Sequence, residues 1–252
     1  MEYITSSDFH FKDTAVALGK FEGIHRGHQL LMDEVKKQEL HGLRSVVFTF
    51  DRPTRLTLTG DTEYKQIYTK KERREILEKR GIDILIEHPF TKEFAALTPD
   101  RFIREVLVEK VGAKVIVVGT DFHFGKNRSG SITDLEKLEE ECGYHLIVVE
   151  KLQLNGKDIS STRIRASLEK GAMEEAKALL GRNYSVSGEI LHGNALGRTI
   201  QVPTINQQVP SFKLLPPNGV YVSKIHWKDE VYYGITNIGT CLLYTSPSPR
   251  DA

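Results

Sequence analysis

Short apolar segments rich in Val and Ile alternate with amphipathic stretches through the first 150 residues, and this alternation limits the possible folds more than any other feature. Strands that are apolar throughout and alternate with helices indicate a parallel sheet covered on both faces. In such sheets, ligands bind in the crevice beyond the carboxyl ends of the strands. Strands are predicted at 14–19, 44–50, 82–88, 113–119 and 144–150, and helices at 25–41, 69–81, 98–112 and 132–143.

The sequence pattern changes after about residue 183, where segments of alternating polarity begin. A predicted helix at 172–181 leads into the β-branched and aromatic segments 184–193 and 219–239. This pattern is typical of an antiparallel barrel or sandwich. The chain is therefore predicted to contain an α/β domain at 1–183 and an antiparallel β module at 184–240.

The composition argues against several classes of protein. With 35 basic against 34 acidic side chains, the net charge of +1 gives no electrostatic case for a nucleic-acid or membrane partner. Cys142 and Cys241 are far apart, so they offer neither a disulfide framework nor a CxxC metal site. The first residues lack the basic and apolar parts of a signal peptide, and no apolar run approaches the roughly 18 residues of a membrane helix. A soluble protein of the reducing cytoplasm is the expectation.

The stretch GKFEGIHRGHQLL, residues 19–31, follows the first predicted strand and opens the first helix. Free backbone N–H groups and the positive end of the helix dipole make such a place a good phosphate site. Gly23 and Gly27 allow close approach of a bulky anion. His25 and His28 point to one side, can donate hydrogen bonds to phosphate oxygens, and would add positive charge on protonation. The stretch therefore predicts a site for the α-phosphate of a nucleotide.

A second candidate phosphate anchor is ISSTRIR, residues 159–165. The hydroxyls of Ser161 and Thr162 stand at the start of a predicted helix, and Arg163 and Arg165 lie just inside it. Hydroxyl caps and forked guanidinium groups can hold the β- and γ-phosphates of a triphosphate. Alone, the segment would suit an ordinary helix cap with solvated arginines. Its combination with the histidine stretch favours a phosphate site.

A third stretch, VGTDFHFGKNRSG, stands at the end of the strand predicted at 113–119. Asp121 is expected to face the crevice, and Phe122 or Phe124 could stack on a planar ring. Phenylalanines near a strand end are more often part of the core, so Phe124 is only slightly favoured as a stacking residue. The segment around Pro53, at the end of another strand, could form a wall of the same crevice.

Together, these stretches closely resemble the bacterial bifunctional riboflavin kinase/FAD synthetase family, over residues 14 to about 240. The resemblance implies a Rossmann-like nucleotidyltransferase domain that transfers AMP from ATP onto FMN, with Mg²⁺, and releases pyrophosphate. Glu22 stands where the family usually has Asp. Because the attacking phosphate of FMN is already anionic, the reaction needs placement and charge neutralisation rather than a strong general base.

The resemblance also implies roles for individual residues. The implied catalytic residues are His25, His28 and Arg163, and the implied flavin-binding residues are Asp121, Phe124 and Pro53. The implied ATP-binding residues are Gly19, Phe21, Gly23, His25, Gly27, His28, Asp121, Ser161, Thr162, Arg163 and Arg165.

Three later segments resemble the riboflavin kinase module of the same family: GNALGRTIQVPTIN (193–206), LPPNGVYV (215–222) and TNIGT (236–240). In that module, Thr204 and Asn206 are implied to lie near Mg²⁺ and the ATP phosphates. The family continues after its NIG segment with further strands and a catalytic glutamate in a Glu-Thr/Ser-His context, which this chain does not have. The module is therefore predicted to be an incomplete antiparallel β-barrel.

Residues 241–252, CLLYTSPSPRDA, do not resemble the family. They are expected to be translated sequencing-adapter read-through rather than a native disordered tail. The kinase reaction, from riboflavin and ATP to FMN, is therefore expected to be lost. Residues 184–240 are expected to be marginally folded, because a barrel without its later strands leaves edges unpaired and apolar faces uncovered.

Three alternatives remain open. Another adenylyl- or cytidylyltransferase with the same His-x-Gly-His element could act on a pantetheine or nicotinamide phosphate, although the kinase-like segments disfavour it. A class I aminoacyl-tRNA synthetase also uses such an element, but this chain is short, is not basic and has no Lys-Met-Ser-Lys-Ser segment. A non-catalytic protein that binds flavin or nucleotide is the third possibility. The sequence does not indicate an oligomeric state.

Overall fold

The computed structural model describes residues 1–53, 60–61, 63–191 and 204–239. A six-stranded parallel sheet forms the centre of the first part of the chain, with the strand order β1-β4-β3-β2-β5-β6. This sheet confirms the predicted α/β class. Its strands are β1 Glu2–Ile4, β2 Thr14–Leu18, β3 Arg44–Phe50, β4 Ile84–His88, β5 Ala113–Gly119 and β6 His145–Val149.

The direction of winding reverses between β2 and β5. From β2 the chain builds outward through β3 and β4, and it then returns to add β5 and β6 on the other side of β2. The loops that leave the carboxyl ends of β2 and β5 therefore diverge and open a crevice between them. The histidine stretch follows β2 and Asp121 follows β5, so both reach this crevice.

Helices connect the strands, and their ends follow local capping rules. Thr69 and Glu72 form a capping box, and Thr98 caps a helix that has Pro99 at its first position, as the sequence predicts. The helices are α1 Arg26–Lys37, α2 Lys70–Lys79, α3 Lys92–Ala95, α4 Pro99–Arg101 with a π-helical continuation Phe102–Lys110, α5 Ile132–Cys142, α6 Ser161–Glu169 and α7 Met173–Leu180, with 3₁₀ turns at Gln38–His41 and Lys126–Arg128.

The sheet is buried on both faces. Successive residues of β2 point to opposite sides, so Val16 and Leu18 belong to one apolar cluster and Ala15 and Ala17 to another. The small alanine side chains face the cluster that contains Met32 of α1. The whole of β2 is inaccessible to solvent, which explains its uniformly apolar sequence.

A third apolar cluster joins α6 and α7 to the segment around Ile67, and Leu214 packs into it from the region that follows. A short hairpin, β7 Gln153–Leu154 with β8 Lys157–Asp158, precedes α6. The same cluster therefore supports the start of α6, where the second candidate phosphate anchor lies.

Beyond α7, the described residues form two separate two-stranded antiparallel sheets. In one, β9 Glu189–Leu191 pairs with β10 Asn206–Gln208; in the other, β11 Gly219–Trp227 forms a hairpin with β12 Glu230–Ile238. These small sheets agree with the predicted change to antiparallel β structure in the second region. The predictions for 192–203 and for the tail 241–252 concern residues outside the described ones.

One face of the β11–β12 hairpin is apolar and open to solvent. Val222 and Ile235 are paired across the two strands and are 91% and 77% exposed. Val220 and Tyr233 lie on the same face and are also largely exposed. Such a face gains little from the hydrophobic effect as it stands.

A buried ion pair attaches the second region to the first. Lys213 Nζ donates to Glu72 Oε2 at 2.7 Å, to the carbonyl of Ile67 at 2.7 Å and to that of Ser185 at 2.9 Å. Burial lowers the pKa of Lys213 to about 8, and Glu72 opposes that shift. The boundary proposed near residue 183 therefore falls within a packed junction, not in a free linker.

Some elements carry no clear signal in the sequence. β1 is a three-residue edge strand that the sequence reading does not predict, and the 98–112 helix is partly π-helical. The predicted strand and helix positions are otherwise confirmed within a few residues. No helix in the described part of the chain is both long and apolar enough to cross a membrane.

Candidate active site

The loop between β2 and α1 has two strained positions. Phe21 and Ile24 have positive φ values of 44° and 41°, a conformation that costs side-chain-bearing residues energy. Both side chains are fully buried, and this packing holds the loop in place. A Cβ at Gly19 would lie 3.1 Å from the Phe21 ring, so the start of this loop has little room for a side chain. We call residues 19–28 the histidine loop.

His25 and His28 form a stacked pair at the start of α1. Their ring centroids are 3.6 Å apart with an interplanar angle of 17°. His25 is the N-cap residue, and its Nδ1 accepts a hydrogen bond from the backbone N–H of His28 at 3.2 Å. The neutral His25 ring therefore carries its proton on Nε2. A Cβ at Gly27 would lie 3.2 Å from that Nδ1, which explains why a glycine suits this position.

The environment keeps both imidazoles neutral. Burial, followed by the charge of Arg182, lowers the pKa of His25 to about 4, whereas Asp121 acts in the opposite direction. Burial also holds the pKa of His28 well below 6.5, and its Nδ1 has no hydrogen-bond partner among the described residues. The expected positive charge on these rings is therefore absent near pH 7 in the free protein. The rings act as neutral N–H donors unless a bound anion favours protonation.

The second phosphate anchor lies against the histidine loop. Arg165 Nη2 donates to Glu22 Oε1 at 2.5 Å, across 143 positions of sequence. A Cβ at Gly23 would lie 3.7 Å from Ser161 Oγ, so the two backbones approach closely. Thr162 is exposed next to Ser161. The structure thus brings together the two stretches that the sequence predicts to hold phosphates.

Glu22 is the central group of this contact. Its carboxylate accepts from Arg165 and from the hydroxyl of Tyr64 at 2.8 Å, and the backbone N–H of Ile67 is 3.5 Å from it. The guanidinium of Arg165 also lies 4.4 Å from the centre of the Tyr64 ring. The glutamate at this position, where the resembled family usually has Asp, is therefore long enough to reach Arg165 of α6.

Arg163, which was expected to be catalytic, has other partners. Its guanidinium donates to Glu175 of α7 at 2.9 Å and to the carbonyls of Leu154 and Lys157 in the β7–β8 hairpin at 2.9 and 3.2 Å. None of these partners belongs to the histidine loop. In this structure Arg163 joins three elements around the third apolar cluster, and Arg165 is the one of these two α6 arginines that reaches the loop.

Asp121 stands at the crevice, as expected from its place after β5. It lies close enough to His25 to influence the pKa of that ring, and its Oδ2 pairs with Lys151 Nζ at 3.1 Å. Pro53 follows β3 and is partly buried, and residues 54–59 after it are outside the described ones. Asp121 and Pro53 therefore remain compatible with the predicted site.

Phe124 does not fit its predicted role as a stacking surface. It is only 7% exposed and packs against Phe102 and Phe122, with ring centroids 5.3 and 5.5 Å away. A Cβ at Gly130 would lie 2.9 Å from its ring, so the ring is enclosed on that side as well. The alternative candidate, Phe122, is only partly buried.

Three further residues contact the histidine loop and are not among the predicted site residues: Tyr64, Gln29 and Arg182. Gln29 Nε2 donates to the carbonyl of Ile24, and Arg182 donates to the carbonyls of Ile24 and Gly23. The sequence does carry a signal for Gln29, because this residue follows His28 directly. No local pattern points to Arg182, since 158 positions separate it from Ile24.

Thr204 and Asn206 lie at the start of β10, and both are exposed. Their side chains offer two neutral oxygen donors, which suit Mg²⁺ only when phosphates and water complete the coordination. No group of three or more His, Cys, Asp or Glu side chains within the described residues could hold a metal ion.

The fold and the site define a class: a Rossmann-like nucleotidyltransferase, with paired histidines at the switch point of a parallel sheet. Two family models match the chain, one described as FAD synthetase over residues 8–163 and one described as riboflavin kinase over residues 180–249. The chain belongs to the bifunctional riboflavin kinase/FMN adenylyltransferase family. Its first region is that of an enzyme that transfers AMP from ATP to FMN, and its second region is a riboflavin kinase module.

Individual relatives agree with this assignment. The bifunctional riboflavin kinase/FMN adenylyltransferase of Listeria monocytogenes serovar 1/2a is 34% identical over 238 residues, which cover 94% of this chain and 75% of the relative. The protein of the same name from Bacillus subtilis (strain 168) is 36% identical over 229 residues, which cover 90% of this chain and 72% of the relative. These similarities favour the family over the three alternatives left open by the sequence.

A solved structure shares the fold. It is described as a macrolide-efflux protein from Streptococcus pneumoniae, is 30% identical and superposes with a TM-score of 0.85. The match covers 95% of this chain and 79% of that chain. The likeness therefore extends beyond the first domain.

Proposed function

We propose that the crevice between β2 and β5 binds the triphosphate of ATP between the histidine loop and the N-terminus of α6, and that AMP is transferred there to FMN. The observation that carries this proposal is the contact between Glu22 and Arg165, which joins the two anchors. A single triphosphate can contact the histidine loop and the start of α6 together only because these two segments are adjacent.

The chemistry follows from this arrangement. The phosphate of FMN attacks the α-phosphorus of ATP, the bond to the β-phosphate oxygen breaks, and pyrophosphate leaves. The Nε2–H of His25 and the N-terminus of α1 supply hydrogen bonds for the negative charge at the α-phosphate. Because the nucleophile is already an anion, positioning in line with the leaving group matters more than removal of a proton.

The α6 end of the crevice is proposed to hold the β- and γ-phosphates. Ser161 and Thr162 provide hydroxyls at the first turn of α6, and Arg165 provides the guanidinium. In the free protein, Arg165 is paired with Glu22. A triphosphate would compete for this arginine, since phosphate oxygens accept bidentate hydrogen bonds as carboxylates do.

The flavin is proposed to lie beside Asp121 and the segment around Pro53. Phe122 is a better candidate than Phe124 for a ring contact, because Phe124 is enclosed. Mg²⁺ is proposed to travel with the phosphates of ATP and to neutralise part of their charge. In the first domain, Asp121 could supply one oxygen ligand; in the second region, Thr204 and Asn206 could supply two.

The test is incubation of the chain with FMN, ATP and Mg²⁺, with FAD and pyrophosphate as the measured products. Equal formation of both is expected. His28→Ala should lower the rate by about 100-fold, since loss of one donor at a developing charge has that effect. His145→Ala is the matched control, because this histidine is exposed and lies at the amino end of β6, whereas the crevice lies beyond the carboxyl ends of the strands. Absence of FAD with the unaltered chain, or unchanged activity of His28→Ala, would contradict the proposal.

We further propose that the protein works in the cytoplasm on small-molecule substrates and not on nucleic acid. A net charge of +1 on 252 residues provides no broad basic surface. The enzyme's substrates, ATP and FMN, are soluble metabolites, so no membrane contact is needed.

A further inference from the structure

Arg182 is a partly buried arginine immediately after α7, and its guanidinium donates hydrogen bonds to the histidine loop. Nη1 donates to the carbonyl of Ile24 at 2.8 Å, and Nη2 donates to the carbonyl of Gly23 at 3.0 Å. Nη1 also reaches the carbonyl of Leu180 at 3.2 Å. One planar group thus spans two successive peptide groups of the loop and the end of α7.

The carbonyls that Arg182 holds belong to the strained part of the loop. Ile24 has a φ of 41° and directly precedes His25, the N-cap of α1. The orientation of the Ile24 carbonyl sets the direction in which the chain enters the helix, and therefore where the histidine rings lie. A side-chain-bearing residue in this conformation relaxes unless its surroundings hold it.

Gln29 donates to two of the same carbonyls. Its Nε2 donates to the carbonyl of Ile24 at 3.0 Å and to that of Leu180 at 2.8 Å. The carbonyl of Ile24 therefore accepts from both side chains. Arg182 also lies 5.1 Å from the centre of the Tyr68 ring, so its other side is covered.

The charge of Arg182 is not neutralised locally. Among the described residues, its guanidinium donates to main-chain carbonyls and forms no ion pair with a carboxylate. A buried arginine is usually retained with a paired anion. Here its hydrogen bonds go to the carbonyls of the histidine loop, and packing alone does not explain why an unpaired charge is kept at this position.

We propose that Arg182 is a positioning residue for adenylyl transfer: it holds the carbonyls of Gly23 and Ile24 so that the strained loop presents the histidine pair to the phosphates. This inference rests on the proposed function of the histidine loop. Gln29 assists from α1. Arg182 does not touch the substrate, and it acts through the backbone.

The kinetic test compares Arg182→Met and Arg182→Lys with the unaltered chain in FAD formation. Both substitutions should lower kcat by about 100-fold with less than about a threefold change in KM for ATP, since small misplacement of catalytic groups affects the rate more than binding. Lysine should not rescue kcat, because its single ammonium cannot match the guanidinium fork across two carbonyls. Arg101→Met, an exposed arginine paired with Glu105, is the matched control and should change neither value.

A second measurement separates positioning from loss of charge. In a histidine NMR titration, Arg182→Met should raise the pKa of His25 above its value in the unaltered chain, because the charge of Arg182 adds to the larger effect of burial, whereas Arg182→Lys should leave it low. Cross-relaxation between the stacked rings of His25 and His28 should be lost in both variants. A merely structural residue would alter the amount of folded protein without altering these signals in the folded fraction.

The outcomes decide the proposal in each case. If the folded Arg182→Lys variant keeps kcat within about threefold of the unaltered chain, the positioning role is wrong. If neither Arg182 variant folds, Gln29→Leu decides. A fall in kcat of about 10-fold supports the positioning of the loop carbonyls by Arg182 and Gln29, and an unchanged kcat overturns it. If the unaltered chain forms no FAD, the proposed function fails, and the ring signals of the folded variants still support or refute the positioning of the histidines.

Discussion

The rings of His25 and His28 lie against each other at the start of α1, and burial keeps both of them neutral. Neutral imidazoles give the crevice hydrogen-bond donors without a fixed charge. The positive potential comes instead from Arg182, from Arg165 and from the helix end. A triphosphate bound as proposed would therefore meet neutral donors from the histidines and positive charge from the arginines.

The low pKa of His25 predicts a pH-dependent stability. In the unfolded chain this group titrates near 6.5, and in the folded chain near 4, so the unfolded state binds more protons between these values. The free energy of unfolding should therefore fall as the pH drops from 6.5 to 4, by about 3 kcal/mol from this residue. Above pH 6.5 the contribution is fully present. Urea unfolding at a series of pH values measures it.

The matched variant for this measurement is His25→Asn, because asparagine also caps helices but does not titrate. Its unfolding free energy should depend less on pH than that of the unaltered chain across the same window. Identical pH dependence of the two proteins would show that His25 is not the group responsible.

Motif spacing predicts on which elements the candidate site residues lie, but it does not predict which groups their side chains contact. His25, His28 and Arg165 sit where the motif spacing predicts, because strand ends and helix starts are fixed by local pattern. Arg163 and Phe124 differ, since the direction of a side chain at a given position depends on its neighbours. The partners of Arg163 are two carbonyls and one carboxylate on other elements, which no spacing rule reveals.

At the scale of the elements, the residue just before β5 is Gly112, where the backbone of a neighbouring segment leaves no room for a side chain. Gly112 has a φ of 66°, and a Cβ there would lie 2.3 Å from the carbonyl oxygen of Phe11. Since backbone rather than a flexible side chain stands in the way, the neighbouring segment would have to move. Gly112 therefore fixes how the chain before β2 lies beside β5.

Gly112→Ala should lower the free energy of unfolding by about 2 to 4 kcal/mol, from the positive φ together with the overlap. Gly143→Ala is the matched control, because Gly143 has a φ of 69° with nothing within 4 Å of its Cβ position. That variant should cost only about 1 kcal/mol. Thermal or chemical denaturation gives both values. Equal effects of the two substitutions would show that the close approach at Gly112 is unimportant.

The elements of the first domain could be predicted because their periodicity is strong. The sequence shows β2 and β5 as short apolar segments, and it shows α2 as an amphipathic segment that begins with a capping residue. β1 could not be predicted, because three residues at a sheet edge carry too little pattern and depend on the partner strand β4. The β7–β8 hairpin is similarly short, with two residues in each strand.

At the scale of the whole molecule, the two regions are joined through Lys213. Its side chain is fully buried with Glu72, between the rings of Tyr68 and Tyr184, whose centroids lie 4.6 and 4.5 Å from Nζ. Removal of one partner would leave the other charge without compensation. The second region therefore contributes to the stability of the first through Lys213.

Lys213→Met should lower the free energy of unfolding by about 3 kcal/mol, because breaking a buried ion pair exposes the cost of burying the remaining charge. Lys37→Met, at an exposed pair with Glu34, is the control and should change stability by less than about 0.5 kcal/mol. Denaturation monitored by circular dichroism reports on both. A negligible effect at Lys213 would mean that the junction is dispensable.

The second region leads to a prediction about activity. Asn206 is the first residue of β10 and Thr204 precedes that strand; both are exposed, and the two small sheets of the described residues form no closed barrel around them. We expect the 252-residue chain to form FAD from FMN but no FMN from riboflavin and ATP. Both products can be followed by chromatography in one sample, so that FAD formation serves as the control. Any FMN formed above a blank without enzyme would contradict the expectation.

The distance in sequence between the two halves of the crevice has a consequence for biosynthesis. Glu22 is made early and meets Arg165 only after 143 further residues have been added, and Arg182 follows still later. A ribosome-bound chain could thus form much of its sheet before the proposed triphosphate site is complete. Competence for adenylyl transfer should therefore emerge late and abruptly during synthesis, when α6 and α7 close over the loop.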